Sequence, residues 1–210
     1  MRPDPRHAWQ AQSLLLGYPT EELLGHVPLL RRVAASAETR VGEPMSRFLD
    51  HLEATPLRRL ASDYVSTFDQ QKRCCLYLTY YAYGDTRKRG MALLNLKQTY
   101  AAAGLRLVDD ELPDHLAVML EYASGVDVQI GRDLLNTHRA GLELLRLALH
   151  DCEAAWAPVL DSISATLPVL RGDEREAVAR LAAQGPPEEQ VGLAPYPPPQ
   201  LLPQPSGGRR

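Results

Sequence analysis

Apolar residues in this chain recur at helical spacing almost from end to end, and no alternating β-branched run is long enough for a strand. The longest pattern lies in Arg132–His150, where Leu134, Leu135, His138, Leu142, Leu145 and Leu149 step by one, three, four, three and four. That spacing predicts a single amphipathic helix several turns long. Trp156, Val159, Leu160, Ile163 and Leu167 predict another, despite Pro158 near its start. The expectation is an all-α fold, one compact helical domain over residues 1–184.

Prolines, glycines and capping residues divide the rest. Asp4-Pro5 reads as an N-cap followed by proline at the first helical position, with Trp9, Leu15 and Leu16 as apolar mass. Gly17-Tyr18-Pro19 stops that helix, and Thr20-Glu21-Glu22 caps and starts the next. Pro28 is expected to break or kink it. Glu43-Pro44 and Thr55-Pro56 each open a further helix, the first with Met45, Phe48, Leu49 and Leu52 inward. Gly172 reads as a C-cap and Asp173 as the N-cap of a last, weaker helix to about Ala183.

Between Tyr64 and Tyr122 the pattern predicts three or four short helices. Leu57, Leu60, Ala61, Tyr64, Val65 and Phe68 fall on one face of the first. Gly84 and Gly104 sit where C-caps belong, and Asp85 where an N-cap belongs. Pro113 is expected as the first residue of the last, with Leu112, Leu116, Met119, Leu120 and Ala123 along one side.

A length of 210 residues suits one domain with a sizeable core. A net charge of −3 and a pI near 6.1 make no electrostatic case for a nucleic-acid partner. Three cysteines without metal-pair spacing point to a reducing compartment, and the N-terminus lacks the apolar stretch of a signal peptide. No window nears the roughly 18 apolar residues of a membrane span. A soluble cytoplasmic protein, not inserted in a membrane, is the expectation. Residues 185–210 hold eight of the 17 prolines and four of the 14 glycines, a composition read as a disordered tail.

A search for chemistry finds no Gly-rich phosphate loop, paired metal-ligating histidines or nucleophile elbow. Adjacent side chains diverge by about 100° on a helix, so Cys74 and Cys75 read as core or partly buried thiols, not as shared metal ligands. Acids beside Cys152 disfavour a thiolate there, and His138 reads as a core or rim histidine. No catalytic residue, cofactor or metal is expected. Two charged clusters remain. Arg87-Lys88-Arg89 opens a helix, where positive charge opposes the dipole. Asp109, Asp110, Glu111 and Asp114 form an acidic edge, and beside them the charged form of His115 is expected to be favoured. An acidic surface beside apolar interhelical grooves fits a basic amphipathic partner helix. A helical transcription regulator or another small binding module is the alternative; residues 1–60, with eight Lys/Arg against seven Asp/Glu, make a poor phosphate-binding surface for the former.

The series Tyr64-x-x-x-Phe68-Asp69, Gly84-Asp85-Thr86-Arg87-x-Arg89-Gly90, Tyr100-x-x-x-Gly104-Leu105, Glu111-Leu112-Pro113-Asp114-His115-Leu116 and Leu120-Glu121-Tyr122 resembles the NarJ-type chaperones, the delta-subunit family of respiratory nitrate reductase. Leu14-Leu15-x-Gly17-Tyr18-Pro19 is similar to their opening helix, and Glu111-x-Pro113-Asp114-His115 to a signature of the wider redox-enzyme maturation chaperones. One departure stands out: Tyr80-Tyr81-Ala82-Tyr83 replaces the family's Glu-His-Val-His before Gly-Asp. The resemblance implies a maturation-chaperone fold and a private chaperone for the apo catalytic subunit. It would bind that subunit, through its N-terminal segment, until molybdenum cofactor and an iron–sulfur cluster are inserted, before membrane docking. The residues expected to meet the partner are Arg87, Arg89, Asp109, Asp110, Glu111, Pro113, Asp114 and His115.

Overall fold

The computed structural model describes residues 4–107 and 111–184. Among them run eleven α-helices: α1 Arg6–Leu15, α2 Glu21–Ser36, α3 Thr39–Ala54, α4 Leu57–Tyr64, α5 Leu78–Tyr83, α6 Arg87–Ala102, α7 Leu116–Gly125, α8 Val128–Thr137, α9 Arg139–Asp151, α10 Ala157–Thr166 and α11 Gly172–Gln184. The only β pairing among the described residues is a single antiparallel bridge, Tyr77 to His115. The all-α expectation stands. The proposed tail and the acids Asp109 and Asp110 lie outside the described residues.

Helix α1 is the hub, packed against α7, α2 and α10, while α3 lies on α2 and α10. Trp9 and Leu15 in it and Leu16 at its cap are sealed from solvent, and three of its side chains donate across the core. The Trp9 indole donates to Thr166 Oγ1 at 2.9 Å, Gln12 Nε2 to Ser162 Oγ at 2.8 Å and Ser13 Oγ to the Ala117 carbonyl at 2.8 Å. Below its C-terminus, Trp156 meets Phe48, Tyr64 and Phe68 with ring centroids 5.4–5.6 Å apart. Tyr64 and Trp156 each donate to a carbonyl at the end of α1, Leu16 and Leu15 respectively. Burial with every polar tip satisfied is how such rings anchor a core.

Several helix boundaries differ from expectation. Helix α2 runs through Pro28. Pro28 is on the exposed face, where water can satisfy the carbonyl left without an N–H. Helix α3 starts at Thr39, ahead of Glu43-Pro44, and α11 includes Gly172. After α4 the chain widens into a π-turn over Val65–Asp69, which keeps Phe68 in the core. The long pattern around Arg132–His150 is two helices, broken at His138. The break serves two different contacts. A Cβ on Gly131 of α8 would lie 2.3 Å from the Ala123 Cβ of α7, and one on Gly141 of α9 would lie 3.0 Å from the Leu78 carbonyl oxygen of α5. One straight helix could not meet both neighbours so closely.

Gly84 and Gly104 do end α5 and α6, with φ of 54° and 79°. At Gly104 the closing bonds are those of a Schellman motif: Gly104 N to the Ala101 carbonyl and Leu105 N to the Tyr100 carbonyl.

Candidate functional site

The residues with the most distinctive polar pattern, around Pro113-Asp114-His115, do not open a helix. Two backbone bonds hold them against the chain entering α5: Leu78 N donates to the Asp114 carbonyl at 3.0 Å, and Leu116 N to the Leu76 carbonyl at 2.9 Å. Helix α7 therefore begins at Leu116, with His115 as its cap residue. Its inward face is Leu116, Met119, Leu120 and Ala123, as the spacing predicts, while Leu112 stays partly exposed.

Asp114 is fully buried. Its Oδ2 accepts from the Thr79 backbone N–H at 3.3 Å and from the Thr79 hydroxyl at 2.5 Å. Thr79 is the second residue of α5, whose own cap residue, Tyr77, makes no side-chain cap bond. A carboxylate from 35 residues away thus satisfies the free donors at the start of that helix. Arg89 supplies the counter-charge. Its Nη2 is 3.6 Å from Asp114 Oδ2, its Nε donates to Thr79 Oγ1 at 3.3 Å, and its Nη1 donates to Asp85 Oδ1 at 3.3 Å. The guanidinium also lies 5.8 Å from the Tyr77 ring centroid and 5.9 Å from that of Tyr80. Asp114 Oδ1 is buried without a hydrogen-bond partner among the described residues.

These distances correct the expected acidic edge. Asp114 is not a surface acid complementing a helix dipole but the buried half of an internal lock. Pro113 is buried too, and its carbonyl accepts from the Tyr100 hydroxyl at 2.8 Å. Thr86, not Asp85, stands at the start of α6, which leaves Asp85 free to pair with Arg89. His115 packs edge-on to Tyr77, with centroids 5.3 Å apart. Burial pushes its pKa below the ordinary value and outweighs the upward pull of Asp114, so its neutral form is favoured, contrary to the expectation for a histidine among acids. His138 behaves the same way, for the same two reasons.

Of the residues expected to meet a partner, the structure brings Arg89, Asp114 and His115 together beside Thr79 and Tyr77. Arg87 is exposed on the first turn of α6. Glu111 is exposed elsewhere, at the rim of a groove of about 350 Å³ between the end of α6 and helix α7. Tyr100, Leu105, Leu107, Val118, Tyr122 and Val126 line this groove, and Arg106, Glu111 and Glu121 give it charge. The buried Tyr122 hydroxyl has no hydrogen-bond partner among the described residues.

Sequence reasoning missed Thr79 and Tyr77, which carry no motif of their own. It also missed a clamp between α9 and α10, although Arg139, Glu143 and Arg146 stand at helical spacing. Glu143 Oε1 is 2.8 Å from Arg139 Nε and accepts from Ser164 Oγ at 2.7 Å; Glu143 Oε2 is 2.8 Å from Arg146 Nε. Arg146 reaches Asp161 at 3.0 Å. Burial alone would raise the Glu143 pKa, but the Ser164 hydroxyl and the two guanidiniums overcome it and hold the carboxyl low.

Comparison with known proteins places this architecture. Residues 34–161 match the family model described as nitrate reductase delta subunit. The chain is 30% identical over 165 residues to the Bacillus subtilis protein named "probable nitrate reductase molybdenum cofactor assembly chaperone NarJ", covering 78% of this chain and 90% of that one. It is 37% identical over 159 residues to the nitrate reductase-like protein NarX of Mycobacterium tuberculosis, covering 75% of this chain but only 24% of that longer one. A crystal structure from Archaeoglobus fulgidus, described as a redox enzyme maturation protein, superposes with a TM-score of 0.56 at 20% identity, covering 87% of this chain and 96% of the other. That likeness is one of fold. With a family match over more than half its length and its helices arranged in the fold of a maturation protein, this chain belongs to the nitrate reductase delta subunit family.

Proposed function

We propose that the protein is a system-specific chaperone for the catalytic subunit of respiratory nitrate reductase. It binds the apo subunit in the cytoplasm, through the subunit's N-terminal segment, until molybdenum cofactor and the iron–sulfur cluster are in place. Release then precedes membrane docking. The reading rests on family membership and on the names of relatives such as NarJ of Escherichia coli, a nitrate reductase molybdenum cofactor assembly chaperone. It asks the protein for a binding surface, not for catalysis. No helix among the described residues is long and apolar enough to cross a membrane, which suits an assembly factor that acts before docking.

The observation that carries the partner-binding half is the groove between α6 and α7. Its floor is apolar and aromatic, and its charged residues are two acids, Glu111 and Glu121, against one base, Arg106. A basic amphipathic helix has the matching face, apolar residues for the floor and Lys or Arg for the acids. In this reading Glu111 meets the client directly, Arg87 lies away from it at the opposite end of α6, and Arg89, Pro113, Asp114 and His115 hold the scaffold in shape.

Calorimetric titration with a peptide copying the N-terminus of the catalytic subunit tests this. Val126→Asp should weaken binding at least about tenfold, by placing a charge among apolar contacts. Glu111→Lys with Glu121→Lys should weaken it chiefly at low salt. Unchanged affinity in both variants, with the fold intact by circular dichroism, would move the client to the Arg87 end of α6. Absence of any binding to peptide or to the apo subunit would remove the chaperone assignment.

A further inference from the structure

The adjacent cysteines of the sequence are not each other's partners. Cys74 closes a short 3₁₀ turn, Lys72–Cys74, and its sulfur lies 3.8 Å from that of Cys152, a residue 78 positions away at the end of α9. Cys75 faces elsewhere, with its sulfur 3.9 Å from the Tyr77 carbonyl. Two thiols in van der Waals contact must close by somewhat less than 2 Å to reach the roughly 2.05 Å of a disulfide. Neither is held back by a strong competing bond: Cys74 has the Gln71 side chain at 3.9 Å and Cys152 the Leu149 carbonyl at 3.6 Å.

We infer that Cys74 and Cys152 form an oxidation site, a dithiol that peroxide converts to an intramolecular disulfide. The two members differ in access, which sets the order of events. Cys74 is sealed from solvent while Cys152 is half-buried, so peroxide meets Cys152 first. The Cys152 thiol gives its proton to water, and the thiolate attacks one peroxide oxygen. The S–O bond forms, the O–O bond breaks and hydroxide leaves, giving a sulfenic acid. The Cys74 sulfur then attacks the Cys152 sulfur. The S–S bond forms, the S–O bond breaks, and the departing hydroxide takes the Cys74 proton as water. Two thiols and one peroxide become one disulfide and two waters.

The surroundings make this slow at rest. Burial pushes the Cys74 thiol up to about 12, and the neighbouring Cys152 adds to the shift. The pair is therefore a reduced dithiol under ordinary conditions, closing only under sustained oxidant. Closure would covalently join the end of α9 to the turn that leads into Tyr77 and Thr79. That turn is already gripped by Tyr81, whose hydroxyl lies 2.9 Å from the Arg73 carbonyl and 3.0 Å from that of Cys75.

The test treats the full-length protein with excess hydrogen peroxide, blocks free thiols with N-ethylmaleimide, and maps peptides without reduction. The expected result is a loss of two thiols, a cross-linked peptide pair containing Cys74 and Cys152, and a Cys75 that still alkylates. Dithiothreitol should reverse it. The oxidised form should melt about 5–10 °C higher, because the bridge closes a long loop. Cys75→Ser should leave all of this unchanged, and Cys152→Ser should abolish the cross-link. Three alkylated cysteines after oxidation, a bridge through Cys75, or sulfinic acid at Cys152 without a bridge would each overturn the assignment. The wild-type map decides the matter even if a variant fails to fold.

Discussion

Arg89 and Asp114 come within 3.6 Å of each other in a site where the carboxylate has no solvent exposure and the guanidinium side chain retains 17%. Removing the carboxylate strands two buried donors, the Thr79 N–H and its hydroxyl, and leaves Arg89 with only Asp85 as counter-charge. Asp114→Ala should therefore cost about 2–4 kcal/mol in denaturant unfolding. Thr79→Val, which leaves the charges paired, should cost about 1–2 kcal/mol. An Asp114→Ala loss below about 1 kcal/mol would mean that the lock contributes little.

Two half-buried histidines predict how stability follows pH. His115 and His138 are both held below the ordinary value of 6.5, so the unfolded chain binds their protons more readily than the folded one. Their contribution is complete above that value and is lost as pH falls through the lowered folded values. The denaturation midpoint should fall between about pH 7 and about pH 5.5, and a His115→Gln, His138→Gln double variant should fall less. Equal slopes for the two proteins would remove the histidines as the cause. Asp114 and Arg89 face this site from the neighbouring segments.

Glu153 is the one non-glycine with positive φ among the described residues, at 52°. It ends α9 in a Schellman motif, with Glu153 N bonded to the His150 carbonyl and Ala154 N to the Leu149 carbonyl. Glycine is the favoured residue at that position. Glu153→Gly should raise stability by about 0.5–1 kcal/mol, an increase visible as a higher melting temperature.

Gly131→Ala should do the opposite. The new Cβ would fall 2.4 Å from the Ala123 Cα, so α7 and α8 must move apart. A loss of about 1–3 kcal/mol is expected on equilibrium unfolding. Ala123→Gly in the same chain should recover part of it, which a purely local helix-propensity effect would not do.

What could be read from sequence was whatever a local period carries. The inward faces of α7, α9 and α10, the caps at Gly84 and Gly104 and the all-α class follow from spacing alone. The order of motifs pointed to the family. What escaped reading was long-range. Pro113 looks like a helix start because proline is common at that position; a bridge to Tyr77 takes the segment instead. Asp114 looks like an exposed dipole partner because nothing nearby reveals Thr79, 35 residues earlier. The break at His138 was hidden because the apolar rhythm continues across it; only the close contacts at Gly131 and Gly141 betray two axes.

The bridge between Tyr77 and His115 also bears on how chain length can vary. Entry to and exit from the α5–α6 excursion are pinned side by side, by backbone bonds at Leu78 and Leu116 and by the Asp114 carboxylate on Thr79. Lengthening a loop whose ends are already fixed costs little, about 0.6 kcal/mol for each doubling. Segments added between Ala102 and Glu111 would hang outside the clasp and leave the bundle's register untouched. An insertion there would alter the rim of the groove and leave the core as it is.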